Sequence, residues 1–207
     1  MLPAEYYYKE YYGINTTFPL LISSDLLKKY LTSEVLDVGC GHGSMVKELS
    51  KHMKVSGCDI WPSVSELGKN FFFHNMEEKP TIKKFNSIYS IHVLEHIFDY
   101  ISFLKNIRNS LKSQGILFLA VPNCYSLLSR TKFLFGNENI TMGVGEIGCV
   151  EKNCLEPHLR FFGKKSLKKI LEKNGFEVKE IFGTRGGKKT SLGTFAGQLN
   201  FVCKKID

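Results

Sequence analysis

The stretch VLDVGCGHGSM, residues 35–45, places glycine at every second position, Gly39, Gly41 and Gly43, just behind the acid Asp37. A glycine-rich turn after a strand ordinarily cradles an anionic phosphate. A carboxylate at its mouth opposes that. A pyrophosphate beside Asp37 would cost of order 1–4 kcal/mol at ~4 Å, depending on the dielectric. A cationic ligand in the same place gains this energy, and glycine lets the backbone approach it with no Cβ in the way. The dinucleotide pattern G-x-G-x-x-G also fails, because its third glycine position counted from Gly39 is Ser44. Asp59 does stand about twenty residues on, the distance that suits ribose hydroxyls. A second group is HVLEH, residues 92–96, with His92, Glu95 and His96 at i, i+3 and i+4. On a helix these share one face. His158 closes a long irregular stretch further along. Imidazole and carboxylate together offer a base for an acceptor hydroxyl, a group that orients it, or a donor set for a divalent metal. Plainer roles are open to the same residues: Glu95 supporting the start of the next helix, and His158 bonding its own loop. His42, His52 and His74 read as local structural residues.

The elements that position these residues alternate in period. EVLDVG (34–39) is a short apolar run ending in glycine, and SMVKELSKHM (44–53) has Met45, Val46, Leu49 and Met53 at helical spacing. KVSGCDI (54–60) is a second strand, PSVSELGKN (62–70) a helix opened by proline, NFFFHN (70–75) a third strand, and FNSIYSIHVL (85–94) contains a fourth. DYISFLKNIRNSLKSQG (99–115) predicts a helix from Asp99 to a stop at Gly115, followed by the strand ILFLAVPN (116–123). Apolar strands alternating with helices imply a parallel sheet covered on both faces, with ligands at the carboxyl ends of its strands. Residues 123–163 lack clear periodicity and read as a loop insertion that covers a site. KKSLKKILEKNGF (164–176) is a helix stopped by Gly175. FEVKEIFG (176–183) and QLNFVCKK (198–205) form an antiparallel pair at one edge, joined by a flexible hairpin connection. Residues 1–32 carry an amphipathic helix, TFPLLISSDLLKKYL, and a tyrosine cluster (Tyr6, Tyr7, Tyr8, Tyr11, Tyr12) that suits either a lid or surface packing.

Taken in order, Asp37-x-Gly39-x-Gly41-x-Gly43, Asp59, HVLEHIFD (92–99), SLKSQGILFLAVPN (110–123) and HLRFFGKKSLKKILEKNGFEV (158–178) resemble the class I S-adenosylmethionine-dependent methyltransferases, from about residue 33 to 205. The resemblance implies a Rossmann-like, doubly wound α/β sheet of seven strands, mostly parallel with an antiparallel last strand. It implies that Asp37 and the turn Gly39, Cys40, Gly41, Gly43 hold the methionine part of the cofactor, that Asp59 holds the ribose, and that Ile60 packs on the adenine. Asn75, with Met76 beside it, stands where the family often has an acid for the adenine amino group, and His92 completes the cofactor set. Asn86 replaces an acid common in relatives, a structural difference. The sulfonium is already a good electrophile, so the protein must align a nucleophile behind the methyl and exclude water. Similar E-x-x-E-H segments with a distant histidine bind a divalent metal in small-RNA 2′-O-methyltransferases, and a related arrangement is implied for ubiquinone-pathway O-methyltransferases. Here His92 takes the place of the first Glu, leaving His92, Glu95, His96 and His158 as a metal set and Glu95, His96 and His158 as the catalytic candidates. Tyr125 stands where it can meet the acceptor or pack in its loop.

The remaining features bound the function. A chain of 207 residues suits one domain, here residues 1–207. Its six cysteines fit no disulfide or zinc framework and read as reduced thiols. No apolar run approaches a membrane span and the N-terminus is not a signal peptide, so a cytoplasmic protein is expected. The net charge of +8 is nearly all lysine, which reads as a solvated face, with RNA a lesser acceptor class. The expected reaction is methylation of a hydroxyl on a small molecule or glycan. An NAD-dependent oxidoreductase is opposed by Asp37 and Ser44, and a non-catalytic S-adenosylmethionine-binding partner protein is the other alternative.

Overall fold

The computed structural model describes residues 22–135, 158–190 and 194–207. The tyrosine cluster, most of the N-terminal segment, residues 136–157 of the loop insertion, and the pair Cys149 and Cys154 lie outside the described residues. In chain order the elements are α1 (Ser24–Lys28), β1 (Glu34–Val38), α2 (Ser44–Leu49), β2 (Lys54–Asp59), a 3-10 helix (Pro62–Leu67), β3 (Phe71–Phe73), β4 (Phe85–Ile91), a 3-10 turn (Leu94–His96), α3 (Tyr100–Ser110), β5 (Leu111–Pro122), α4 (Leu127–Leu134), α5 (Lys164–Lys173), β6 (Phe176–Arg185), β7 (Lys188–Thr190) and β8 (Gln198–Lys205). The strands form one sheet in the order β3-β2-β1-β4-β5-β8-β6-β7. The five from β3 to β5 are parallel, and β8 lies antiparallel between β5 and β6.

Both faces are covered, as near-continuous apolar strands require. Leu36, Val38, Leu117, Leu119 and Val121 pack with Phe103, Leu104 and Ile107 of α3 and Leu167 and Leu171 of α5. Val35, Tyr89, Phe118 and Ala120 pack on the other side with Leu27 of α1 and Met45, Val46 and Leu49 of α2. Leu104 is fully buried, so truncating it to alanine costs about 2–5 kcal/mol. Among the described residues, no helix is long and apolar enough to cross a membrane.

Four expectations are corrected. The sheet has eight strands, not seven, because the left-handed pair Gly186 and Gly187 (φ +54° and +74°) turns the chain into the short hairpin strand β7. Strand β8 is not at the edge. The helix α3 ends at Ser110 rather than at Gly115, because Leu111 is already extended (ψ 141°) and pairs with Phe85. Gly115 serves close approach instead: a Cβ there would lie 3.0 Å from the Leu111 side chain and 3.1 Å from the Asn86 carbonyl. Finally, PSVSEL is a 3-10 helix, in which Ser65 Oγ reaches the Pro62 carbonyl at 3.5 Å. Such local bonds weaken α-helical geometry. Gly175 does stop α5 as expected, at φ +81°.

Candidate functional site

Strand β1 delivers Asp37 to the carboxyl end of the sheet, and the turn follows at once. Gly39, Gly41 and Gly43 are all left-handed, at φ +79°, +50° and +71°. Packing separates them further. A Cβ on Gly39 would stand 2.3 Å from Val93 Cγ2, and one on Gly43 2.3 Å from the Phe71 ring, whereas one on Gly41 would meet nothing within 4 Å. Gly41 therefore faces the open side of the turn. The Gly39 and Cys40 N–H groups donate to the Cys58 carbonyl (2.9 and 3.1 Å), tying the turn to β2. Asp59 ends β2 and is buried; its Oδ2 accepts from the Gly41 N–H at 2.8 Å and its Oδ1 from the Trp61 N–H at 3.1 Å. Asp59 thus braces the turn.

Asp37 is 5% exposed and lies in register with Tyr89 of β4. Burial pushes its carboxyl up to about 8; the Tyr89 hydroxyl works against this, and the nearby Asp59 charge adds to it. Among the described residues, no cation pairs with the Asp37 carboxyl. Cys40 is half-buried, its thiol pushed far above the ordinary range by burial and by the Asp37 and Asp59 charges. Ile60 is 48% exposed beyond Asp59, available to a flat ligand. Asn75 caps its own turn, Oδ1 accepting from the Glu77 N–H and Nδ2 donating to Glu78. Met76 is a correction: its side chain belongs to the core below the sheet edge, with its sulfur 3.9 Å from Ser110 Oγ. Sequence spacing carries no signal for Tyr89 or for Trp61, whose ring stands edge-on to His42 with centroids 5.3 Å apart.

The second group comes together by a route other than the expected helix. His92 adopts a left-handed conformation (φ +55°) with its N–H on the Ala120 carbonyl at 2.9 Å, and Leu94–His96 is a single 3-10 turn. Glu95 is 1% exposed at the centre. His92 Nδ1, His96 Nε2 and His158 Nε2 each lie 4.0 Å from its Oε1. Neither Glu95 oxygen hydrogen-bonds a described residue. Helix support is not its role: α3 is capped by Asp99, whose Oδ1 accepts from the Ser102 N–H at 3.0 Å. His158 joins the group as well. It is brought in because the Leu159 N–H donates to the Glu95 carbonyl at 2.9 Å. Arg160 then clamps the segment, donating to the Ile97 and Phe98 carbonyls with its guanidinium 4.8 Å from the Tyr100 ring centroid.

Burial pushes the Glu95 carboxyl up to about 8. It pushes His92 down to about 4, helped by the His158 and His96 charges and opposed by the Gln198 side chain, and it lowers His158 as well. His92 and His158 are therefore neutral at pH 7, the form in which imidazole ligates metals. The donor atoms of Glu95, His96 and His158 lie within 4.8 Å of one another. Val93, whose side chain touches the glycine turn, sits between His92 and the 3-10 turn, so the two groups share one end of the sheet. Cys124, Phe161 and Arg160 line the cleft beside Glu95 and His158, and Tyr125 packs its half-exposed ring by Gly163.

The family model described as "Methyltransferase domain" matches residues 19–181, most of the chain. The chain belongs to the methyltransferase-domain family. This methyltransferase domain is 27% identical over 163 residues to a protein named ubiquinone biosynthesis O-methyltransferase from Rickettsia typhi. That match covers 72% of this chain but only 62% of the relative. The solved structures share the fold: a putative methyltransferase from Haloferax volcanii, in complex with the Trm112 methyltransferase activator, superposes with TM-score 0.66 at 13% identity, covering 91% of each chain. An S-adenosylmethionine-dependent methyltransferase from Clostridium acetobutylicum gives 0.62 at 14% identity, covering 98% of this chain and 97% of its own. The cofactor of the methyltransferase domain is S-adenosylmethionine, a cation that suits Asp37 better than a nicotinamide dinucleotide does.

Proposed function

We propose that this domain transfers the methyl group of S-adenosylmethionine to a hydroxyl of a small molecule or sugar. The observation that carries the reading is the Glu95 carboxyl, buried with no hydrogen bond to a described residue amid three imidazoles, at the end of the sheet that carries the glycine turn. A hydroxyl acceptor needs a base or a metal to lower its pKa, whereas a carboxylate or thiolate acceptor needs neither. The printed name of the rickettsial relative supports the same acceptor class. In this reading Asp37 holds the α-ammonium of the cofactor, Asp59 the ribose, Ile60 the adenine, and Gly41 the backbone approach. The buried donors fit a divalent metal: Glu95, His96 and His158 would hold it, with His92 outside that compact donor group, and when bound it would supply a Lewis acid for the acceptor hydroxyl. Around it, Arg160 keeps His158 in place, and the apolar wall of Val121, Phe161 and Phe162 excludes water.

The test is transfer of a labelled methyl group into cell extract, with the mass of the methylated product read by chromatography and mass spectrometry, with and without chelator. A product gaining one methyl on oxygen, lost on chelation, supports the reading. Methylation that survives chelation removes the metal. Absence of incorporation under every metal condition supports a non-catalytic S-adenosylmethionine-binding role.

A further inference from the structure

The compact donor group is assembled from two stretches of chain. Glu95 and His96 sit in the 3-10 turn after β4, whereas His158 comes from the strap of residues 158–163 that leads into α5. The strap alternates. His158 meets Glu95 Oε1 at 4.0 Å and the His96 ring at 4.9 Å between centroids, and Phe162 is buried in the core. Leu159 and Phe161, between them, are exposed. The strap is seated on the exit of the 3-10 turn. The Leu159 N–H donates to the Glu95 carbonyl at 2.9 Å. The Arg160 guanidinium donates to the Ile97 carbonyl and, at 3.1 Å, to the Phe98 carbonyl, with the Tyr100 ring centroid 4.8 Å away. The Phe162 ring stands edge-on to the same tyrosine, centroids 5.9 Å apart. Ile97 is already extended (ψ 130°), so its carbonyl lies outside any helical ladder. A planar guanidinium meets two successive carbonyls at once; an ammonium on its flexible stem does not hold both in one fixed geometry.

We infer that Arg160 is a positioning residue that sets metal affinity: its fork keeps the strap docked, and the docked strap brings His158 to Glu95 and His96. The effect on metal rests on the metal reading of this donor group; the docking by Arg160 does not. By linkage, a metal that takes all three donors must in turn hold the strap down. The same docking sets Arg160, Phe161 and Phe162 in the wall of the cleft beside Glu95 and His158. Metal capture and construction of the acceptor wall are then one event, and metal binds before the acceptor.

Hydrogen exchange of the Leu159 amide reads the docking, and zinc calorimetry reads its consequence, both on the full chain. Arg160→Lys keeps the charge and the apolar stem but loses the fork. It should speed Leu159 exchange in the metal-free protein by about 10-fold and weaken zinc binding by about 10–100-fold, with affinity for S-adenosylhomocysteine unchanged. Zinc should slow Leu159 exchange in the wild type. Unchanged Leu159 exchange in Arg160→Lys overturns the inference, and so does faster exchange with the zinc affinity of the wild type intact. A loss of S-adenosylhomocysteine affinity as large as the loss for zinc also overturns it, since the substitution would then loosen the whole domain. Should the wild type bind no zinc, faster exchange in Arg160→Lys upholds the docking role and removes the metal reading. Should Arg160→Lys fail to fold, the response of wild-type Leu159 exchange to zinc decides.

Discussion

In the proposed function, the Asp37 carboxyl ties cofactor binding to proton release. In the ligand-free protein burial lifts it from 3.8 to about 8, so at pH 7 roughly nine-tenths of the molecules hold Asp37 protonated. The cofactor ammonium needs the carboxylate. Binding at pH 7 should therefore expel close to one proton, and the apparent affinity should fall about tenfold for each pH unit below 8. Stability runs the opposite way. Between pH 4 and 8 the unfolded chain has lost this proton while the folded chain keeps it, so the ligand-free fold loses stability as pH rises toward 8. The loss is on the order of 5 kcal/mol from this group. Asp37→Asn keeps the shape and removes the charge. It should raise the unfolding midpoint of the ligand-free protein at pH 8 and weaken S-adenosylhomocysteine binding by about 10–100-fold, the worth of a charge-assisted bond. It should also abolish proton release. The assay is calorimetry at pH 7 in two buffers of different ionisation enthalpy, which converts released protons into a heat difference. Equal heats in both buffers for the wild type, or wild-type affinity in Asp37→Asn, would refute the reasoning.

Three further outcomes are expected. Gly43→Ala should destabilise the domain by about 1–3 kcal/mol in urea unfolding, because its Cβ meets the Phe71 ring and its φ is left-handed. A smaller change would mean that Phe71 moves aside freely. Glu95→Gln should leave S-adenosylhomocysteine binding intact, raise the unfolding midpoint at pH 9, where the wild-type carboxylate is buried and charged, and abolish methyl transfer. Retained turnover would remove Glu95 from the site. Asp99→Ala deletes the cap of α3 and should cost about 1 kcal/mol, read as a lower denaturant midpoint with unchanged cofactor affinity.

The parts of the site legible in the sequence are those fixed by local geometry. Left-handed turns demand glycine, so Gly39, Gly41 and Gly43 announce themselves, and the apolar runs before Asp37 and Asp59 set those acids at strand ends. Gly115 looked like a helix stop because sequence shows only that a glycine follows a helix, not whether it serves φ or close packing. The residues of HVLEH gather around Glu95, but in a shape that their spacing does not show. A left-handed histidine before a 3-10 turn leaves no period to read. Tyr89 leaves no trace in the spacing for a different reason: it stands beside Asp37, far away in the chain, and parallel register arises from packing across the sheet rather than from any local pattern.

The place of β8 bears on how the molecule is assembled and how it fails. It is the last of the described strands, yet it lies between β5 and β6, bonded to both. Until it arrives during synthesis, β5 and β6 each present a bare edge open to pairing with another chain. Shearing the chain before Gln198 would therefore not trim a rim; it would divide the sheet and detach β6 and β7. The same eight residues complete the sheet, so damaged or truncated copies should aggregate rather than persist as inactive, folded protein.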